Sequence, residues 1–504
     1  MTAVVQVESD SASRLARREL CTLLRHSSHY LAGLSGGLVV GLVSFPIFTR
    51  AFSPAEYGLM DLAQRVVVML AIASKAGLQN AVLRFYDKDR FAADPPEARR
   101  FYSTMYLGTL GTALAVTLVF LAFRGLIPGR IWGPIAGLSG LVLSLALLRS
   151  LAATLWGFLR IEERTKAFNA TTVGTRAATV AAILALLPLA GRTAHTYFLG
   201  TVMVEGVLVL ALTAALLRRK VLRLASFDTA LFRAGVMFGL PLVVYELAFA
   251  ALGSADRFLV RHYLGANVLG FYSVAYGLAE HAGDLLVGPL VLAILPIYMR
   301  IWTSSGPRKT TEFLNLVWDL FLMAAAGILA IAIATARPLV VLLASSRYAG
   351  TEHLIPLLLG GLFIYANYVF VAAGLLIQKR TMTMAGLLVV AAVFNIALNC
   401  LLLPVMGLNG AALASLLSYA LCILLLARAS SRVLPLRLDA AACAKYLAAG
   451  AAAACAGQQI GYSALVPGIL SRGAVSLTVY LLILYALDRR VRGAALRAVR
   501  AVKT

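Results

Sequence analysis

The stretch MTMAGLLVVAAVFNIALNCLLL, residues 382–403, decides the class of fold to which this chain belongs. It contains no Asp, Glu, Lys or Arg. The hydrocarbon core of a bilayer is about 30 Å thick, and an α-helix needs about 20 apolar residues to cross it. Residues 382–403 are therefore predicted to form a transmembrane helix.

Apolar runs of the same kind recur on both sides of this stretch. Of the 504 residues, 61% are hydrophobic and 13% are charged, and the mean hydropathy is +0.86. Soluble globular proteins are about half apolar and about one quarter charged, so the composition excludes that class. We predict an all-α polytopic membrane protein with about 14 transmembrane helices. They are placed near residues 29–49, 59–80, 101–123, 133–158, 167–190, 195–217, 231–253, 268–297, 313–335, 353–377, 382–403, 408–427, 440–461 and 471–487.

The basic residues predict how the chain is oriented in the membrane. The formal net charge is +23, but the Lys and Arg residues form short clusters between apolar runs rather than one patch, so a nucleic-acid partner is not expected. Most of these clusters fall on one side of the predicted membrane, which identifies that side as cytoplasmic and places both termini there. The polar start of the chain leads directly into the first span and is not predicted to be a cleaved signal.

A faint internal repeat predicts two pseudo-symmetric lobes of six helices around a central cavity, followed by two further helices. Residues 50–58 and 261–270 each begin with an Arg, place an aromatic residue two positions later and end in Gly. Transporters are often built from two such related bundles. The predicted divisions are a cytoplasmic basic tail (1–28), an N-lobe (29–217), a cytoplasmic linker (218–230), a C-lobe (231–427), helices 13 and 14 (428–487) and a basic cytoplasmic tail (488–504).

Four cations lie inside the predicted spans of the first lobe, namely Arg65, Lys75, Arg149 and Arg176. A charge at the centre of a bilayer costs about 2.5–3.5 kcal/mol on insertion scales, so it usually faces a partner or a hydrated cavity. Guanidinium groups bind phosphate oxygens in a bidentate fashion, and these residues are predicted to line a cavity for a pyrophosphate. Two alternatives remain: Arg65 pairs with Asp61 one turn away, and Lys75 extends towards the interface.

Acidic residues inside the spans form a second set of candidates, as ion-pair partners or as groups that couple transport to an ion: Asp61, Glu205, Glu246, Glu280 and Asp284, with His281 beside them. Two carboxylates on one helical face do not both ionise freely in a low dielectric. A zinc site is not predicted, because only one His is present. The cysteines show no metal or disulfide spacing, no catalytic motif is found, and neither a cofactor nor an enzymatic activity is expected.

Several short motifs, in a fixed order and over nearly the whole chain, resemble those of a known family. They are Phe45 to Arg50 and Ser53 to Gly58, then Asp256-Arg257-Phe258, Leu264-Gly265-Ala266, Gly270 to Ser273, Lys379 to Thr381, Asn395 to Asn399, Leu403-Pro404 and Gly407 to Ala412. The family is the polysaccharide-export (oligosaccharide flippase) branch of the multidrug/oligosaccharidyl-lipid/polysaccharide exporter superfamily. Its matching positions here are Pro46, Arg50, Gly58, Asp256, Arg257, Gly265, Gly270, Asn395, Asn399, Pro404 and Gly410.

The resemblance implies a flippase of the bacterial cytoplasmic membrane. Its substrate would be a polyprenyl-pyrophosphate-linked oligosaccharide, moved to the outer leaflet by alternating access for O-antigen, capsule or exopolysaccharide assembly. A coupling ion, H⁺ or Na⁺, and other polysaccharide-assembly proteins would be further partners. The alternatives are a peptidoglycan-precursor flippase, a multidrug and toxin extrusion antiporter and, from another class, a membrane glycosyltransferase or glycan polymerase.

The motif residues also carry structural expectations. Pro54 and Gly58 suit a tight turn, and Gly407 permits a sharp reversal between two helices. Asn395 and Asn399 lie one helical turn apart and are predicted to hydrogen-bond a facing helix.

Overall fold

The computed structural model describes residues 36–126, 129–461, 464–488 and 492, and no β-strand occurs among them. The predicted tail 1–28, the start of the first predicted span and nearly all of the predicted tail 488–504 lie outside these residues. The helices are α1 (Gly36–Ala51), α2 (Pro54–Lys75), α3 (Leu78–Phe85), α4 (Lys88–Ala93), α5 (Pro95–Phe123), α6 (Gly129–Ala136), α7 (Ser139–Ile161), α8 (Thr165–Ala190), α9 (Ala194–Arg218), α10 (Thr229–Leu252), α11 (Ala255–Leu264), α12 (Ala266–Leu343), α13 (Ile355–Ala366), α14 (Tyr368–Val371), α15 (Ala373–Ile377), α16 (Thr381–Met406), α17 (Leu408–Ser430), α18 (Ala440–Gln458) and α19 (Leu465–Leu487).

The helix lengths confirm an all-α polytopic membrane protein. Twelve helical segments of the described chain are long and apolar enough to cross a membrane, and α1 is a shorter apolar helix. One of the twelve, α12, has 78 residues and is interrupted at Gly306, where φ is 77°. At 1.5 Å per residue this helix is far longer than one bilayer crossing. When α12 is counted as two spans and α1 as one, the described helices match the fourteen that were predicted.

The second predicted span, 59–80, has the wrong limits. Helix α2 begins at Pro54 and ends at Lys75, because Ala76 and Gly77 both have positive φ, 47° and 76°. The prediction of a turn containing Pro54 and Gly58 is also wrong, since Gly58 lies inside α2. A Cβ atom at Gly58 would come within 2.7 Å of the backbone nitrogen of Gly270. Glycine is therefore required here for close packing of α2 against α12, and not for a turn.

Two other predicted spans are interrupted in the structure. The span 133–158 is divided between α6 and α7. The span 353–377 is divided among α13, α14 and α15, with its first break at Asn367. The Asn367 side chain donates to the carbonyls of Phe363 and Ile364 at 2.8 and 2.9 Å and accepts a hydrogen bond from the Trp318 indole. Carbonyls near the end of α13 thus have a partner inside the protein, which a helix broken within a membrane needs.

The described chain divides into two compact units. The first falls within Met1–Ser44, Leu70–Phe123 and Ser139–Leu240. One of its core clusters joins α3, α5, α7 and α9 through buried side chains that include Leu78, Phe101, Leu155, Phe158 and Val209. Close backbone approach also shapes this unit, because a Cβ atom at Gly239 would come within 2.7 Å of the Ala76 carbonyl oxygen.

The second unit comprises Phe45–Met69, Arg124–Leu138 and the described part of Pro241–Thr504. In one of its clusters α18 and α19 pack on α12 through small side chains such as Ala330, Ala449 and Ala453, closed by Tyr446 and Tyr480. In a membrane the hydrophobic effect does not drive helices together, so helix association depends on close packing. Small residues allow this packing because they let the helix backbones approach one another. The lobe limits at residues 217 and 231 remain a prediction, since compact units need not coincide with lobes.

Candidate functional site

A network of charged side chains lies at the middle of α2 in the second unit. The Arg65 guanidinium donates to Asp61 Oδ1 at 3.1 Å and to Glu280 Oε1 at 3.2 Å. The Arg257 guanidinium donates to the other oxygen of Asp61, Oδ2, at 2.9 Å. Asp61 therefore bridges two guanidinium groups that come from α2 and α11, and Glu280 joins them from α12.

Arg257 is the buried centre of this network. Its Nη1 donates to the Gly253 carbonyl at 2.7 Å and to Asp256 Oδ1 at 3.2 Å. The guanidinium carbon lies 3.9 Å from the centre of the Tyr276 ring, a cation–π contact. Asp256 in turn accepts hydrogen bonds from the Tyr272 hydroxyl at 2.6 Å and the Ser415 hydroxyl at 3.2 Å. A buried charge persists only when its hydrogen-bonding capacity is met in this way.

The side chains of the network differ in how far they are exposed to solvent. The exposed fraction of the side chain is 1% at Arg257, 24% at Arg65 and 35% at Glu280. Three carboxylates, those of Asp61, Asp256 and Glu280, face two guanidinium groups. An ion or a polar group that approaches the network therefore meets Arg65 and Glu280 first, beside an excess of one negative charge.

His281 and Asp284 extend the same part of α12. The His281 ring packs edge-on against Phe45, with ring centres 5.5 Å apart. Asp284 is exposed and, within the described residues, makes no ion pair. The structure thus places Asp284 one turn beyond Glu280, as the sequence indicates, but only Glu280 belongs to the network.

A second ion pair joins two helices of the first unit. Arg149 Nε on α7 donates to the two carboxylate oxygens of Glu205 on α9, at 3.0 and 3.3 Å. Both side chains are largely buried. The structure therefore pairs a predicted cation with a predicted acid, and the charge of Arg149 is balanced within the protein.

Reversal of this pair gives a direct test of its contribution. We expect Arg149→Glu to lower the free energy of unfolding in detergent by about 2–3 kcal/mol, because the substitution places two carboxylates together. The loss is smaller than for a fully buried pair because both side chains are partly exposed. The double variant Arg149→Glu/Glu205→Arg is expected to recover most of this loss. A double variant as unstable as the single one would contradict a specific pair.

The remaining predicted residues have different surroundings. Lys75 ends α2, and Glu246 is half-buried on α10. Arg176 is exposed on α8 and has no ion pair within the described residues. A Cβ atom at Gly37 would lie 2.6 Å from Arg176 Nη1, so this guanidinium lies directly over the backbone of α1. Of the four cations predicted inside spans, Arg176 is the one that is exposed in the structure.

The family-motif residues mostly fasten helices to one another. Arg50 donates to the Pro46 carbonyl at 3.0 Å and to the carbonyl oxygens of Leu342 and Leu343, which end α12. Gly265 links α11 to α12 with φ 90°. Pro404 lies within the last turn of α16, and Gly407, with φ 57°, permits the predicted reversal into α17.

The prediction that Asn395 and Asn399 hydrogen-bond a facing helix is wrong. Asn399 Nδ2 donates to the backbone and side-chain oxygens of Asn395 at 2.9 and 3.1 Å. Both residues are fully buried, and neither bonds a facing helix among the described residues. One turn apart on one face, the two amides are each other's nearest partners.

Asp256 and Arg257 were predicted only as family-motif residues, and their place in the network was not predicted. Their adjacency could have indicated an ion-pair network, since an acid and a base directly follow the seventh predicted span. No group of three or more His, Cys, Asp and Glu side chains in the described chain has the arrangement of a metal site.

The fold and the apolar spans define a multi-pass helical membrane protein with charged groups inside its spans. Residues 24–302, more than half of the chain, match the family described as "Polysaccharide biosynthesis protein". The chain belongs to this family. No curated protein matches the chain.

Solved structures share the fold at low sequence identity. "Lipid II flippase MurJ, inward closed conformation" has a TM-score of 0.67 and 14% identity, covering 92% of this chain and 99% of that one. An inward-facing "multidrug resistance MATE family transporter" has a TM-score of 0.56 and 13% identity, covering 80% and 97%. The "eukaryotic MATE transporter AtDTX14" has a TM-score of 0.51 and 14% identity, covering 85% and 99%.

Proposed function

We propose that this protein is a flippase, not an enzyme, that moves a polyprenyl-pyrophosphate-linked oligosaccharide from the inner to the outer leaflet of a bacterial cytoplasmic membrane. The observation that carries the proposal is the family match over residues 24–302, whose name concerns polysaccharide biosynthesis. The fold shared with a lipid II flippase supports a lipid-linked substrate. The glycan would serve O-antigen, capsule or exopolysaccharide assembly.

The mechanism that we propose is alternating access with the pyrophosphate held by guanidinium groups. Arg176 has an exposed guanidinium without a carboxylate partner among the described residues. Arg65 is partly exposed and is shared between Asp61 and Glu280, so a phosphate that binds it competes with these carboxylates. Exchange of carboxylate for phosphate would link substrate binding to the charge state of Glu280, where H⁺ or Na⁺ would act as the coupling ion.

A flipping assay in proteoliposomes tests the function and the role of Arg176. The substrate is a fluorescent polyprenyl-pyrophosphate oligosaccharide, and the readout is its accessibility to a membrane-impermeant quencher. We expect wild-type protein to move the lipid and Arg176→Ala to reduce the initial rate about 10- to 100-fold, because a charge-assisted hydrogen bond contributes about 1.5–3 kcal/mol.

Arg192→Ala is the matched control, since Arg192 is exposed just beyond the end of α8. It is expected to retain wild-type activity. If Arg176→Ala flips the lipid as fast as wild type, the function stands and the assignment of Arg176 is wrong. If wild-type protein moves no lipid-linked sugar, the flippase proposal itself is wrong.

One observation favours a multidrug antiporter as the second candidate. The network around Arg257 has three carboxylates for two guanidinium groups, and a negative site suits a cation. Export of a cationic dye by wild-type protein, without movement of lipid-linked sugar, would support this alternative. A preference for a peptidoglycan precursor over other lipid-linked oligosaccharides would instead identify the third candidate, a flippase of that precursor.

A further inference from the structure

A cavity of about 320 Å³ lies in the second unit, away from the charged network. It is bounded by the second part of α12, the connection before α18 and the first turn of α18; the lining side chains that matter here are Asn315, Leu316, Asp319, Arg437, Leu438 and Asp439. Ligand pockets in proteins range over roughly 300–1,000 Å³. The volume therefore suits a small polar group rather than a whole lipid or an oligosaccharide.

Charged side chains of both signs line this cavity. The backbone N–H of Arg437 donates to Asn315 Oδ1 at 3.1 Å, while its guanidinium forms no ion pair within the described chain. Asp439 Oδ1 accepts from the N–H groups of Ala441 and Ala442, at 3.1 and 3.0 Å. Its Oδ2 has no hydrogen bond to any described residue and stays available to a ligand.

The third charged group is Asp319 on α12. Its Oδ1 accepts a hydrogen bond from the Tyr446 hydroxyl at 3.1 Å. The lining thus presents one guanidinium and two carboxylates, and a ligand that carries only one sign of charge cannot match it. A zwitterion with an anionic and a cationic end matches both.

The position of the cavity indicates where such a ligand comes from. Asp439 precedes the first residue of α18, a helix long and apolar enough to cross a membrane, so the cavity lies where this helix leaves the bilayer. Leu316 and Leu438 line the cavity and are also exposed. Apolar side chains beside charges at this depth match the junction between the head group and the acyl chains of a phospholipid.

We propose that this cavity binds the head group of an aminophospholipid of the phosphatidylethanolamine class. Arg437 contacts the phosphate, the carboxylates of Asp319 and Asp439 accept hydrogen bonds from the primary ammonium, and Leu316 and Leu438 pack against the start of the acyl chains. The site is separate from the transported substrate. Its occupant bridges α12 and α18, so it also fastens the α18–α19 pair to the rest of the second unit.

This arrangement predicts an order of affinities among lipids. Phosphatidylglycerol offers a phosphate to Arg437 but no ammonium, and it brings its negative charge close to Asp319 and Asp439. Phosphatidylcholine has a positive charge but no N–H, so it cannot donate to the carboxylates. Phosphatidylethanolamine is therefore expected to bind about tenfold more tightly than either, a difference of about 1.4 kcal/mol.

Native mass spectrometry of the full chain with these three lipids, matched in acyl chains, tests the site. We expect Arg437→Gln and Asp439→Asn each to weaken the binding of phosphatidylethanolamine at least fivefold. Asp439→Asn should also reduce the preference over phosphatidylglycerol, because one repulsive carboxylate is gone. Asn caps helices about as well as Asp, so α18 should keep its first turn in this variant.

Arg432→Gln is the matched control, an exposed Arg of the same connection that does not line the cavity. It should bind lipids as wild type does, and all three variants should share the wild-type unfolding temperature in lipid-free detergent. Equal binding of the three lipids by wild type would overturn the proposal. So would equal effects of Arg432→Gln and Arg437→Gln. Both outcomes are independent of the flipping assay.

Discussion

Arg257→Gln is expected to lower the free energy of unfolding by about 3–5 kcal/mol, the cost of removing one partner from a buried ion pair. The Arg257 guanidinium is buried, forms ion pairs with Asp61 and Asp256 and donates a hydrogen bond to the Gly253 carbonyl. Without it, Asp256 stays buried and loses its counter-charge, and Asp61 keeps only Arg65 as an ion-pair partner. Chemical unfolding in mixed micelles measures the loss.

Arg261→Gln is the matched control, because it lies one turn further along α11 and forms no ion pair within the described chain. It is expected to change stability by less than about 1 kcal/mol. The double variant Asp61→Asn/Arg257→Gln should lose less than the sum of the single variants, since the two side chains are in contact. Equal stabilities of Arg257→Gln and Arg261→Gln would show that the network does not support the fold.

Gly270→Ala is expected to have the second-largest effect. A Cβ atom at this position would fall on the carbonyl group of Pro54, and these are backbone atoms at the start of α2 that no rotamer change can move. Overpacking costs about 1–3 kcal/mol when side chains can shift and more when backbone must move. We expect a loss of at least about 3 kcal/mol, measured as for Arg257→Gln.

Gly283→Ala on the same helix provides the comparison. Its added methyl group would meet only Leu359, at an ordinary distance of 3.8 Å. Ala is favoured over Gly in a helix interior by about 1 kcal/mol, so this variant should be as stable as wild type or more stable. A similar loss in both variants would mean that helix packing at Gly270 is not the cause.

The spans could be predicted from the sequence because a bilayer imposes length and hydrophobicity on each helix separately. The limits of α8 and α9 accordingly lie within a few residues of the prediction. The interruption at Asn367 could not be predicted in this way, because it depends on a hydrogen bond that Asn367 accepts from Trp318, 49 positions away along the chain. The hydrophobicity of a single span gives no information about a hydrogen bond between residues so far apart in the sequence.

The same limit applies to the candidate site. The pairing of Asp61 with Arg65 one turn away follows from helix geometry and was among the readings of the sequence. The pairing of Arg149 with Glu205, on different helices, did not follow, although both residues were named as candidates. Arg257 was placed in a motif rather than a site, because tertiary contacts alone give it its partners.

Asp61 and Arg65 can pair during synthesis of the chain, before the rest of the network has been made. Arg257 follows Asp61 by 196 positions, and at roughly 5–20 residues per second the ribosome needs about 10–40 s to add it. During this interval α2 has to be inserted while its final tertiary partner does not yet exist. The bond between Arg65 Nε and Asp61 Oδ1 lies within α2 itself. It lets the nascent helix leave the translocon with its two mid-span charges already neutralised against each other.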